Sequence, residues 1–240
     1  MKHIIYMKKT VWMLLFAAGA ALASCSEEEL DPQSIFDVSS PERTSFDTWL
    51  YMNYTVPYNI QFNYKYIDRE SDNTYNLVPA DIEKAEVMAK VTKYLWIDSY
   101  TELLGPEFMM TYCPRMIQLI GSKAYNSQGS VVLGTAEGGQ KITLYNVNEL
   151  DIKNLSISFL NYWFFKTMHH EFAHILHQTK NYSTDFNLIS TDYQGPSWLN
   201  LEDDAQANRM GYVTRYASYA PDEDFVEIIS NYVTNPDGYW

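Results

Sequence analysis

The sequence predicts an α+β fold, a small mixed sheet packed on helices, and three observations lead to it. Asn59-Ile60-Gln61-Phe62-Asn63-Tyr64-Lys65-Tyr66 alternates strictly between polar and apolar, the signature of a strand with one buried face. From Ile157 to Gln178 there is no Gly or Pro, and Phe159, Leu160, Trp163, Phe164, Met168, Phe172, Ile175 and Leu176 recur at helical intervals. Strand signals precede Asp151 and helix signals dominate after it.

The elements follow in order. A short helix begins near Thr44 and ends before Pro57, and the 59–66 strand comes next. Pro79-Ala80-Asp81 opens a helix that runs to about Leu104 and is closed by Gly105-Pro106. Arg115–Ile120 and Lys141–Val147 read as strands, with a short one at Ser130–Leu133 and a glycine-rich turn over Gly134–Gly139. Three helices complete the chain: Ile157–Gln178, about Glu202–Ala217 beyond a Gly195-Pro196 loop, and Pro221–Val233.

The first 24 residues stand apart. Lys2, Lys8 and Lys9 precede an apolar run, Val11–Ala23, too short to span a bilayer, as in a secretory signal. Its end, Leu22-Ala23-Ser24-Cys25, resembles a bacterial lipobox, which implies lipidation of Cys25 as the mature N-terminus. Residues 25–44 are polar, with Pro32 and Pro41, and read as a tether to a single domain over 45–240. The remaining cysteine, Cys113, reads as a small buried residue. Loss of residues 1–24 takes the net charge from −13 to −16, which argues against nucleic acid or anionic headgroups as partners.

Within the long helix lies His170-Glu171-Phe172-Ala173-His174, an H-E-x-x-H. Residues four apart lie about 40° from one another around a helix, so two imidazoles can meet one Zn²⁺ while the glutamate reaches a water as general base. Three of the five histidines, His170, His174 and His177, share this stripe. A catalytic zinc site takes three protein ligands, so a third must come from elsewhere. An extended H-E-x-x-H-x-x-G-x-x-H is absent, since His177 and Lys180 hold its Gly and His positions. His177 itself either supports a ligand from behind or is simply buried. On the last helix Phe225, Ile228, Ile229 and Tyr232 form an apolar stripe, with Glu223 and Glu227 opposite. Such a helix can give one carboxylate to the metal and another to a liganding imidazole, or be an exposed acidic N-terminus.

The combination resembles the gluzincin metallopeptidases, in which H-E-x-x-H is followed by E-x-x-x-[DE] on a second helix. It is most similar to the lethal-factor-type domain: H-E-F-x-H at 170–174, Tyr216 seven residues before Glu223, then Phe225-Val226-Glu227. That resemblance implies a zincin-like metallopeptidase fold, Glu223 as zinc ligand, Glu227 behind a histidine, and Tyr216 as donor to the developing oxyanion. The lipobox, Gly211-Tyr212-Val213 and the 223–227 segment also resemble zinc metallohydrolase lipoproteins encoded beside outer-membrane nutrient importers in Bacteroidota. The acidic run Ser26–Glu29 resembles the surface-export signal of such lipoproteins. The implied protein is an outer-membrane lipoprotein exposed at the cell surface, acting on a peptide or glycoprotein substrate and touching membrane only through Cys25.

Two alternatives stay open. Glu202-Asp203-Asp204 followed by Ala205-Gln206-Ala207-Asn208 resembles the third-ligand segment of another H-E-x-x-H group; Glu223 is preferred because its tyrosine register agrees as well. With 20 Tyr and six Trp, the chain also admits a non-catalytic lipoprotein that binds glycans or peptides for an importer.

Overall fold

The computed structural model describes residues 42–126, 129, 131–137 and 140–239. The expected signal segment, Cys25 and the tether up to residue 41 lie outside these residues. Helix α1 comprises three consecutive segments, Ser45–Leu50, Tyr51–Thr55 and Val56–Tyr58. It starts at a capping box: Thr44 Oγ1 accepts from Asp47 N at 3.0 Å, and Asp47 accepts from Thr44 N at 3.0 Å. The helix does not stop before Pro57 as the sequence predicts. A π-helical turn at Tyr51–Thr55 precedes Pro57, which then sits in the first turn of a new segment, where its missing N–H costs little. Asn59, left-handed at φ 55°, ends α1.

Strand β1 (Gln61–Asn63) is shorter than its alternating pattern, because only three residues pair with β2 (Met116–Leu119). Between them, α2 runs Ile82–Thr92, Lys93–Ile97 and Asp98–Leu104 and is ended by Gly105 at φ 86°. Pro106 then starts a separate helix, α3 (Pro106–Tyr112), where the sequence shows only a stop. Two residues each of β3 (Ala124–Tyr125) and β4 (Val131–Val132) form a small hairpin. The main sheet has the order β1-β2-β6-β5, with β6 at Lys141–Leu144 and β5 at Gly134–Glu137. β1, β2 and β6 are parallel, whereas β5 runs antiparallel along one edge.

β5 corrects the expected glycine turn. A Cβ on Gly134 would stand 2.5 Å from Thr167 Cγ2, so the glycine lets the edge strand approach the long helix rather than reverse the chain. One sheet face, Phe62, Ile117, Leu119, Ile142 and Leu144, enters the main core. The other is polar yet covered: Gln118 donates to Ser71 Oγ at 2.9 Å, and Lys141 to the Glu70 carbonyl at 2.8 Å.

Helix α4 continues without a break through Ile157–Leu160, Asn161–Phe165 and Lys166–Thr179. Trp96, fully buried, meets Phe172 edge-on at 5.2 Å, and Tyr100 does so at 5.0 Å; these rings fix the back of α4 against α2. Cys113 is buried, and burial pushes its thiol up to about 11, which fits an inert packing residue. The expected helix over 202–217 is only α5 (Asp204–Arg209). Gly211, at φ 97°, reverses the chain, and Asn208 Nδ2 ties the turn to the Tyr212 and Val213 carbonyls at 2.8 and 3.0 Å. A single turn at Tyr216–Ser218 leads to α6 (Pro221–Thr234).

The apolar stripe of α6 is split, with Phe225 and Ile229 half-buried and the other two members exposed. Tyr232 is 71% exposed and Ile228 36%, while Val226, Glu227, Ser230 and Asn231 form the buried face. A polar face turns inward because α4 presents polar groups to it. No helix among the described residues is long and apolar enough to cross a membrane.

The capping box yields a pH-dependent prediction. Burial alone would raise Asp47, but hydrogen bonds from Thr44 and from Tyr64 Oη (2.8 Å) prevail and hold its carboxyl at about 2. Its contribution is complete above the unfolded value of about 4 and is lost as pH falls toward 2. Asp47→Ala should therefore cost about 1 kcal/mol at pH 7 by urea unfolding, and the gap to wild type should close as pH falls toward 2.

Candidate metal centre

Helices α4 and α6 pack side by side and supply almost every polar group of the site. On α4, His170 and His174 lie one turn apart with rings 5.0 Å apart. On α6, Glu223 sits in the first turn. Its Oε2 lies 3.2 Å from His170 Nε2 and 3.3 Å from His174 Nε2. The three donor atoms all fall within 4.8 Å of one another, and among the described residues no other such metal-ligating group is found. Four ligands at about 2.0–2.1 Å around tetrahedral zinc stand roughly 3.4 Å apart, which the two distances from Glu223 to the imidazoles match. The donor set, two imidazole nitrogens and one carboxylate, is also one that catalytic zinc uses.

The electrostatics agree. Burial would lower His170, yet Glu223 and Glu227 outweigh it and lift the ring to about 9. Burial likewise works against both carboxylates, but their histidine contacts hold Glu223 and Glu227 at about 2. The point shared by these groups favours positive charge, as a divalent cation requires.

Each liganding ring is held from behind. His170 Nδ1 donates to Glu227 Oε1 at 2.8 Å, so when a metal ion displaces the other ring proton it is Nε2 that offers its lone pair to the cluster. Glu227 in turn accepts from Thr214 Oγ1 at 2.6 Å and Asn231 Nδ2 at 3.3 Å, with Lys166 Nζ at 3.2 Å. His174 Nδ1 lies 3.3 Å from His177 Nε2, so a second imidazole does for His174 what a carboxylate does for His170. His177 packs edge-on to Phe225 at 6.4 Å and beside Tyr182 at 5.8 Å. His169 faces another way: its Nδ1 meets Tyr100 Oη at 2.9 Å, and burial takes it down to about 4.

A cavity of about 280 Å³ opens beside His170, lined by Glu171, Tyr216, Trp198, Thr167, Lys166 and Gly134 of the edge strand. Burial raises the Glu171 carboxyl, against the pull of His170 and His174. Tyr216 stacks on His170 at 5.9 Å and against Trp198 at 5.0 Å. Burial and the nearby Glu223 and Glu171 keep its phenol protonated.

Asp203 and Asp204 do other work. Asp203 caps α5 through Gln206 N at 2.8 Å, and Asp204 accepts from Arg215 N at 2.8 Å. Sequence reasoning did not single out Lys166, Thr214, Asn231 or Trp198. A signal existed for two: Lys166 lies one turn before His170, and Asn231 one turn after Glu227.

A family model described as "Putative zinc-binding metallo-peptidase" matches residues 39–240. The chain belongs to this family of zinc-binding metallopeptidases. It is also similar to a crystal structure from Bacteroides caccae that is described in the same words. The identity is 45% and the TM-score 0.70, over 86% of this chain and 78% of that one. No curated protein matches. The family fixes zinc as the cofactor and a zincin-like α+β architecture as the scaffold, and His170, His174 and Glu223 form its possible site in this metallopeptidase.

His177 can be tested without any substrate. His177→Leu, which removes the acceptor for His174 Nδ1, should raise the zinc dissociation constant about 10–100-fold in competition with a chelating dye. His177→Gln, which can still present a carbonyl oxygen, should stay much nearer wild type. Equal losses in the two variants would reduce His177 to packing.

Proposed function

We propose that the chain is a hydrolytic zinc metallopeptidase that cleaves peptide or glycopeptide bonds at the bacterial cell surface. One observation carries the reading: a His-His-Glu cluster with zinc-ligand spacing shares a cavity with an acid and a phenol, Glu171 and Tyr216. Zinc held by His170, His174 and Glu223 would supply a Lewis acid that polarises the scissile carbonyl and acidifies water.

The remaining roles belong to the protein. Glu171, its carboxyl raised by burial and so a stronger base than a free glutamate, takes a proton from the attacking water and delivers it to the leaving amine. Tyr216 remains protonated and so can donate a hydrogen bond to the oxyanion as it forms. Glu227 keeps His170 in one tautomer, with Lys166 and Thr214 balancing its buried charge. The edge strand β5 borders the same cavity at Gly134 and can pair with an extended peptide backbone.

Two substitutions test the mechanism. Glu171→Gln should keep one zinc per chain while hydrolysis of a peptide library falls about 10²–10⁴-fold. Tyr216→Phe should lose about 3 kcal/mol of transition-state stabilisation, read as kcat with little change in KM. Normal cleavage by Glu171→Gln would contradict the mechanism and favour a surface lipoprotein that only binds glycans or peptides.

The cellular setting is supported by the sequence alone. A lipid on Cys25 anchors the chain in the outer membrane, and Ser26–Glu29 directs it to the outer face, beside an importer of nutrients. Labelled palmitate should enter the full-length protein expressed in a Bacteroides host and be lost in Cys25→Ala. Equal labelling of both would remove the anchor.

A further inference from the structure

A second cavity, of about 660 Å³, lies next to the one beside His170, and Lys166, Asp204 and Thr214 line both. Its walls are the start of α4 (Ile157, Ser158, Asn161, Tyr162) and the end of α6 with the segment after it (Asn231, Thr234, Asn235, Pro236, Tyr239). None of the catalytic roles assigned above uses it. We propose that the two cavities form one continuous cleft, and that the substrate is a polypeptide extending about six residues to one side of the scissile bond. This rests on the peptidase reading of the zinc site.

Length is the first argument. His170 and Ile157 lie thirteen positions apart on one uninterrupted helix, about 20 Å at 1.5 Å per residue. An extended peptide advances about 3.3 Å per residue, so about six residues follow the helix from one end of the cleft to the other. A dipeptide or a single sugar ring would leave most of the larger cavity unused.

Chemistry is the second. The walls of the larger cavity combine an exposed aromatic ring, Tyr162 at 59%, and apolar Ile157 with amides and hydroxyls. Among the described residues that line it, the one lysine already faces Glu227 and the one acid, Asp204, lies 3.9 Å from Arg215 Nε, so both charges are partnered within the protein. Uncharged polar groups set among rings suit a peptide backbone with mixed side chains. The cleft then discriminates by occupancy: binding energy gathered far from the reacting bond aids its cleavage.

The test uses the zinc-loaded protein and a random decapeptide library, with cleavage products identified by mass spectrometry. A cleaved sequence is then shortened residue by residue from each end. From one end, kcat/KM should fall at least tenfold as the peptide is cut from six residues beyond the scissile bond to two. From the other end it should change little. Ser158 is exposed, so Ser158→Trp should fold normally and partly fill the cavity. It should reduce kcat/KM for the long peptide to that of the shortened one, leaving the shortened peptide and the zinc content unchanged.

Cleavage indifferent to length, or a Ser158→Trp loss shared by long and short peptides, would overturn the cleft while leaving the peptidase intact. No cleavage of the library by the zinc-loaded protein would instead remove the peptidase reading and the cleft with it.

Discussion

A carboxylate 5% exposed cannot remain ionised without partners, and Glu227 governs how α4 and α6 must meet. Its oxygens are shared among His170 Nδ1, Thr214 Oγ1, Asn231 Nδ2 and Lys166 Nζ, from three different segments of the chain. Satisfying that charge turns the polar face of α6 inward and leaves Ile228 and Tyr232 to solvent. It also binds Nδ1 of His170, and so leaves Nε2 to face Glu223. The packing of the two helices and the protonation state of the site are one arrangement.

The rest of the fold keeps α4 in place for this meeting. Trp96, Tyr100 and Phe108 press on Phe172 from behind, while Gly134 allows β5 to close on Thr167 from the front. The helix is therefore held on its apolar side by rings and on its chemical side by charge. A Cβ at residue 134 would push the edge strand away from the cavity it borders, which gives that glycine a packing role that its neighbours Gly138 and Gly139 disguise in the sequence.

Much of the site was legible in one dimension because helical spacing is local. His170, Glu171 and His174 follow from the 3.6-residue repeat, and the same repeat put Glu223 and Glu227 on one side of α6, with their separate roles implied only by the gluzincin resemblance. What the repeat could not show was which face of α6 turns inward. Of the apolar stripe, Phe225 and Ile229 are half-buried, whereas Ile228 and Tyr232 stay exposed and Glu227 is buried. Elements failed where tertiary contacts decide. Residues 134–137 read as a turn because glycine serves both turns and close approach, and the helix over 202–217 was cut short by Gly211 and the Asn208 side chain. Thr214 and Trp198 had no signal, since they reach the site from loops whose paths only the folded chain fixes.

The account stands on three donor atoms meeting at one point between two helices. Anomalous scattering at the zinc edge from crystals of the zinc-loaded protein locates that point directly. One strong peak bonded to His170 Nε2, His174 Nε2 and a Glu223 oxygen is the expected result. A peak on the 202–204 carboxylates, or none between the two imidazoles, would contradict it.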